Sequence, residues 1–196
     1  DPFGSLEKDS PSMITLKGAD FMKKTINAGI VAIRDMGGVD YLEMGLKKAI
    51  EKGLVNGPKM QLSGKLITMT GGHGHLFGRE VDSPHEARKA AREQLKKGVD
   101  LIKIMATGGV MTEGVEPGSP QLTEEEMRAA IVEAHKAERK TATHAQGTEG
   151  IKNALRAGID SIEHGIFLDD EAIEMMVEND VFLVPTLAAP YWIIDA

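Results

Sequence analysis

The chain has no cysteine, which excludes disulfides and thiolate-held metals and gives no sign of an oxidising compartment. It has no surplus of basic residues. Its 23 lysines and arginines face 30 aspartates and glutamates, and a net charge of −7 argues against nucleic acid or an acidic membrane as the main partner. No apolar run approaches the roughly 18 residues of a membrane span, and no charged-then-apolar leader opens the chain. The expected compartment is therefore the cytoplasm. An initiator methionine is also missing: the sequence starts at Asp1 and stops at "YWIIDA", straight after an apolar run, so both ends read as cuts in a longer protein.

What is present is a repeated theme. After a polar, turn-rich start ("DPFGSLEKDSPS", read as loop) come an amphipathic helix, a Gly or Asn-Asp break, a short apolar strand, and polar or glycine residues. The first unit is "ADFMKKTINAGIVAIRDMGG", with its strand at Ile30 to Arg34, and the next places a strand near Lys59 to Leu62. In "SPHEARKAAREQLKKGVDLIKIMATGG" the helix opens with a capping box, Ser83 with Glu86, and Pro84 stands at its first position. Thr123 and Glu126 open the following helix in the same way, and "TEGIKNALRAGIDSIEHG" and "DDEAIEMMVENDVFLVPTL" bring the total to six strand units. Strands alternating with helices of this length are parallel βαβ units, built into either a doubly wound sheet or a (βα)8 barrel.

The strand ends favour the barrel. They carry Arg34 and Asp35, Lys103, His144, Glu163 with His164, and Pro185 with Thr186. Polar groups on so many successive strands need a ring to point them at one centre, whereas an open sheet gathers them mainly at its switch point. No GxGxxG follows the first strand, so a dinucleotide fold loses its best support. A complete barrel takes eight units and about 250 residues. Residues 1–196 are thus expected to form one incomplete α/β (βα)8 TIM-barrel domain, with the first and eighth strands missing.

"GVDLIKIMATGG" (98–109) carries a lysine in a strand that is apolar on both faces, the pattern of a buried parallel strand. His144 ends the next strand, in "KTATHAQG", and His164 the one after, in "GIDSIEHG". Neutral imidazole is a common metal ligand, and two at adjacent strand ends can share one ion; the alternative is a pair of hydrogen-bonded core histidines. Burial lowers a lysine pKa, and a neutral amine can add carbon dioxide to become a carbamate with carboxylate-like oxygens. A neutral lysine could equally form a Schiff base with a carbonyl substrate. "LIKIMATGG" alone does not separate the two, but an aldolase needs no imidazole pair on the following strands.

Together, Lys103 in "LIKIMATGG", His144 in "THAQG", His164 in "SIEHG" and the upstream "TGGHGH" resemble the amidohydrolase superfamily, in the branch of imidazolonepropionase-related and Xaa-Pro dipeptidase-like enzymes. The resemblance runs from "TINAGIVAIRDMGG" to "NDVFLVPTL" and implies a barrel that holds one or two divalent metals, usually zinc. It places a bridging carboxylated lysine on the fourth strand and histidines on the fifth and sixth, at Lys103, His144 and His164. The family's His-x-His pair of the first strand, its aspartate of the eighth, and its small β-sandwich have no counterpart in the sequence. His73 and His75 in "GGHGH" have His-x-His spacing but follow the second of the six strands; in the family a similar glycine-histidine loop follows the third strand and faces the substrate. They are therefore expected to contact substrate, the alternative being a flexible rim loop.

Arg34 and Asp35 read as an ion pair at the rim, His85 and His135 as solvated, and residues 108–121 as a lid. The methionines read as core filler. Tyr191 and Trp192 are possible pocket residues. The implied activity is metal-dependent hydrolysis of amide or peptide bonds in a small molecule, a dipeptide or an N-acyl amino acid. The rivals are a Schiff-base lyase using Lys103 and a non-catalytic fragment. The oligomeric state stays open.

Overall fold

The computed structural model of the chain describes residues 9–188 and 191. Its elements are α1 (Pro11–Asn27), β1 (Ala32–Asp35), α2 (Leu42–Glu51), β2 (Lys59–Leu62), β3 (Ile67–Thr68), a 3-10 turn (His75–Phe77) and β4 (Arg79–Glu80). There follow α3 (Pro84–Lys97), β5 (Leu101–Met105), α4 (Glu124–Lys136), β6 (Lys140–Ala145), α5 (Thr148–Ala157), β7 (Ser161–His164), α6 (Asp170–Glu178) and β8 (Phe182–Val184). Every strand pairing is parallel, in the orders β1-β2 and β4-β3-β5-β6-β7-β8.

The two sheets are parts of one curved wall. β2 pairs with β1, and the Leu62 carbonyl accepts the Asp100 N–H at 2.8 Å, where β5 begins. After a break at Gly64, which takes a left-handed conformation (φ 66°), β3 rejoins the wall by pairing Ile67 with Ile104 of β5. β2 and β3 thus act as one interrupted stave. The main strands are the six expected; the two-residue β3 and β4 were too short to show a period. The first strand begins two residues later than read, at Ala32, because Ile30 is still tied to the helix through the Thr25 carbonyl. The opening segment read as loop is already helical from Pro11. Ser10 caps Met13 N–H and proline occupies the first turn. Residues 1–8 lie outside the described part.

Alternation within the strands sorts side chains between two compartments. Ile102 and Ile104 of β5 and Ile162 of β7 pack outward on the small faces of α3, α4 and α5, among them Ala87, Ala91, Ala130 and Ala154. Leu101, Lys103 and Met105 face the other way, into the concave interior. Thr123 and Glu126 form the expected reciprocal capping box. At α3 the box is half made: Ser83 accepts from Glu86 N–H, but the Glu86 carboxylate takes the Asp82 N–H instead.

A recurring clamp sets strand register. α3 ends at Gly98 (φ 85°) and α5 at Gly158 (φ 94°), left-handed positions that glycine fills without strain. Next comes a buried apolar anchor, Val99 or Ile159, and then an aspartate. Asp100 takes the Leu62 N–H at 2.8 Å and pairs with Lys47. Asp160 takes the Thr141 N–H at 2.9 Å and its hydroxyl at 2.7 Å, and pairs with Lys140 and His135. His135 is therefore partnered, not merely solvated. His85 is exposed, as expected.

Burial alone would raise the Asp160 carboxyl pKa, but the bonds from Lys140, His135 and Thr141 outweigh it and hold the group at about 2. A depressed folded-state value contributes stability above the unfolded pKa near 4 that is lost as pH falls towards 2. Asp160→Ala should cost about 1–3 kcal/mol at pH 7. The acid limb of its urea-midpoint profile should also flatten between about pH 4 and 2. Parallel pH profiles for parent and variant would leave the clamp without energetic weight.

Among the described residues β1, β4 and β8 are edges. Val31 just before β1, and Phe182 and Leu183 of β8, are exposed. A groove of about 570 Å³ runs between α6 and β8. No helix among the described residues is long and apolar enough to cross a membrane.

Candidate active site

β5, β6 and β7 deliver the central groups. Their register sets Lys103 beside Ala142, His144 beside Glu163, and Ala145 beside His164. Lys103 and His144 follow the inward parity of their strands. His164 does not, since it shares parity with Ile162, which faces the helices. Its backbone instead takes a positive φ of 78°, followed by Gly165 at 61°, and the ring turns towards His144. A left-handed histidine is a strained residue that surrounding structure must hold in place, and such strain gathers at functional sites.

The rings of His144 and His164 lie 4.6 Å apart, and that of His73 packs 4.3 Å from His144. His73 enters from the loop between β3 and β4. Its Nδ1 meets the Thr112 hydroxyl at 2.7 Å, which also accepts the Gly74 N–H, and its own N–H is taken by Gln121. Gly109 closes over the pair: a Cβ there would stand 2.6 Å from His73 Nε2 and 2.9 Å from His144 Cε1. The expected lid, residues 108–121, is a folded loop laced by Gly108–Ser119 and Gly118–Gly108 backbone bonds.

His75, two residues from His73, turns back to the Gly72 carbonyl and is absent from this stack of rings. The structure thus joins His73 to Lys103, His144 and His164 and leaves His75 outside. Arg34 does not pair with Asp35. It reaches across the interior to Glu163 (2.8 Å) and Ser161 (3.3 Å), while Asp35 accepts the Gly37 N–H. Neighbouring strand residues point to opposite faces, so Arg34 and Asp35 could not share a direction. Tyr191 is exposed, and Trp192 lies outside the described residues. Methionines divide, with Met60, Met105, Met127 and Met176 buried but Met13 and Met111 exposed.

Electrostatics make this a cluster of neutral imidazoles around an amine that loses its proton far more readily than an exposed lysine. Lys103 is 4 % exposed and has no hydrogen-bond partner among the described residues. Burial pushes its pKa down to about 7, against a favourable pull from Glu163. Burial and the neighbouring Lys103 lower His73 to about 4 and His144 to about 2, and they lower His164 too. Lone pairs are therefore available. His144 Nε2 donates to the Gly108 carbonyl at 3.2 Å, leaving Nδ1, and His164 Nδ1 is engaged by the Thr186 hydroxyl at 2.7 Å, leaving Nε2.

Among the described residues no group of three or more His, Cys, Asp or Glu is placed to hold a metal. The donor set nevertheless suits one divalent cation: two neutral imidazoles in contact, and a buried amine able to become an anionic carbamate. The supports that sequence reasoning missed are Thr112 and Gln121, which lie in a polar loop with no periodic or motif signal.

Parallel staves that carry a lysine and histidines at or near their C-terminal ends define the wall of a TIM barrel, with the candidate site towards the usual rim. The chain belongs to the amidohydrolase family, whose model matches residues 1–193. It is 30 % identical over 188 residues to the ochratoxinase of Aspergillus niger, covering 83 % of this chain and 38 % of that protein. Its fold superposes on the crystal structure of A. niger ochratoxinase with a TM-score of 0.91 at 27 % identity, over 98 % of this chain and 50 % of that one. It superposes on a Xaa-Pro dipeptidase with bound methionine with a TM-score of 0.89 at 34 % identity, over 94 % and 49 %. A prolidase complexed with N-methylphosphonate-L-proline gives 0.86 at 33 %, over 92 % and 48 %. The chain therefore spans about half the length of these solved relatives.

Proposed function

We propose that these residues form part of the single barrel domain of a metal-dependent amide-bond hydrolase, with a dipeptide or N-acyl amino acid as substrate. The observation that carries this reading is Lys103, a buried amine without a hydrogen-bond partner, set among imidazoles held neutral. Names among the relatives, a dipeptidase and a prolidase, support a peptide substrate. A cysteine-free, acidic chain suits the cytoplasm, the compartment we assign.

His144 through Nδ1, His164 through Nε2 and Lys103 would hold the metal, for which zinc is our assignment. Lys103 would act as a carbamate: its amine lone pair bonds to the carbon of carbon dioxide and the nitrogen releases a proton. When bound, a divalent metal supplies Lewis acidity towards a water and the scissile carbonyl. The Gly108 carbonyl fixes the tautomer and direction of His144, and the Thr186 hydroxyl holds the direction of the His164 ring. His73, its Nδ1 held by Thr112, presents Nε2 at the edge of the cluster, where it can donate to a carbonyl oxygen as charge develops there.

Metal content by elemental analysis tests the assignment. It should fall to background in His144→Ala and His164→Ala and fall in Lys103→Ala, with short carboxylic acids restoring metal in the last variant. Borohydride reduction with a carbonyl substrate should leave no adduct. Undiminished metal in both histidine variants, or a trapped adduct on Lys103, would replace this reading with structural histidines or a Schiff-base lysine.

A further inference from the structure

A pocket of about 490 Å³ lies between the 3-10 turn after β3 and the loop after β5, and the roles assigned above do not use it. Leu76, Phe77 and Met111 give it an apolar lining, with His73, His75 and Glu113 as its ionisable groups. Leu76 is 70 % exposed and Met111 49 %. Large apolar side chains gathered in a concave, water-filled space gain by covering apolar surface of a ligand.

Two features tie this pocket to the strand-end cluster. Thr112 stitches its walls together, since the hydroxyl bonds His73 and Gly74 from one loop while its own backbone belongs to the other. His73 is shared, lining the pocket and packing 4.3 Å from His144. A molecule whose carbonyl lay at the cluster would therefore reach this pocket past the shared His73 ring.

We propose that this pocket is a specificity site for an apolar side chain of the substrate, leucine- or methionine-like to aromatic in size, and that Glu113 disfavours acidic ones. The bond cleaved rests on the hydrolase reading; the side-chain preference rests on the pocket. Residues 73–77 supply one wall and residues 111–114 the other, so both loops set the selectivity.

N-methanesulfonyl derivatives of leucine, glycine and glutamate lack a scissile carbonyl and report binding without turnover. Titration calorimetry on the full chain should show the leucine derivative binding about 10- to 100-fold tighter than glycine, with glutamate weakest. The Leu76→Ser/Met111→Ser double variant changes only exposed positions, so it should keep its circular dichroism while the leucine-to-glycine ratio shrinks at least about 5-fold. Glu113→Gln should improve the glutamate derivative alone. No leucine preference, or a preference unchanged in the double variant, overturns the proposal. Parallel hydrolysis of acyl-leucine and acyl-glycine substrates separates the two readings. Preference without turnover keeps the pocket and removes the hydrolase, and turnover without preference does the reverse.

Discussion

Lys103→Met should leave the protein folded and at least as stable as the parent, yet, on the function proposed above, reduce amide hydrolysis by about 10³-fold or more. Lys103 is enclosed by its strand neighbours and has no hydrogen-bond partner among the described residues. Its depressed pKa shows that burial opposes the ammonium form. An amine buried without a partner costs free energy, and methionine fills nearly the same volume with no polar atom, so no cavity forms. In metal-free protein the exchange should gain about 1–3 kcal/mol by urea unfolding. Activity should vanish because neither a carbamate nor a Schiff base can form on a thioether. A variant that unfolds would make Lys103 a structural residue, and one that keeps its rate would remove it from the chemistry.

The second large effect is expected at the ion pair that crosses the interior. Arg34→Met strips the partner from Glu163, whose side chain is 7 % exposed and is otherwise bonded to Ser161. Leaving a buried carboxylate unpaired costs about 3–5 kcal/mol, and the partial exposure of Arg34 moves the expectation to about 2–4 kcal/mol. The double variant Arg34→Met/Glu163→Leu should recover most of that loss, because two apolar groups need no compensation. Chemical denaturation of the four proteins of the cycle measures the coupling. Simple additivity would mean that the pair contributes nothing to holding β1 against β7.

Much of the architecture was legible because it is written at short range. Helix periods, the serine and threonine caps, and the glycine breaks at the ends of α3 and α5 act within a turn or two of chain. They located all six main strands and the parallel connections between them. Lys103, His144 and His164 were legible as a group because each is a polar residue within or at the end of a short strand, and parallel strands bring such positions towards one rim. β3 and β4 escaped notice because two residues cannot show a period, and their pairing depends on the break at Gly64. The Arg34–Asp35 pairing failed where chain adjacency was read as spatial adjacency.

By itself, then, the sequence determined the succession of the six main strands, the helix caps at Ser83 and Thr123, and which groups stand at or near strand ends. Only the tertiary structure decided how those groups are used. It chose Glu163, 129 residues away, as the partner of Arg34. It drew His73 into the cluster through Thr112 and Gln121 and left His75 outside. It turned His164 inward by a positive φ that its place in the strand does not announce. The physical reason is range. Hydrogen bonding and steric period within an element depend on neighbours in the chain, whereas burial, charge compensation and ring contact in the barrel wall depend on which strands its curvature sets face to face.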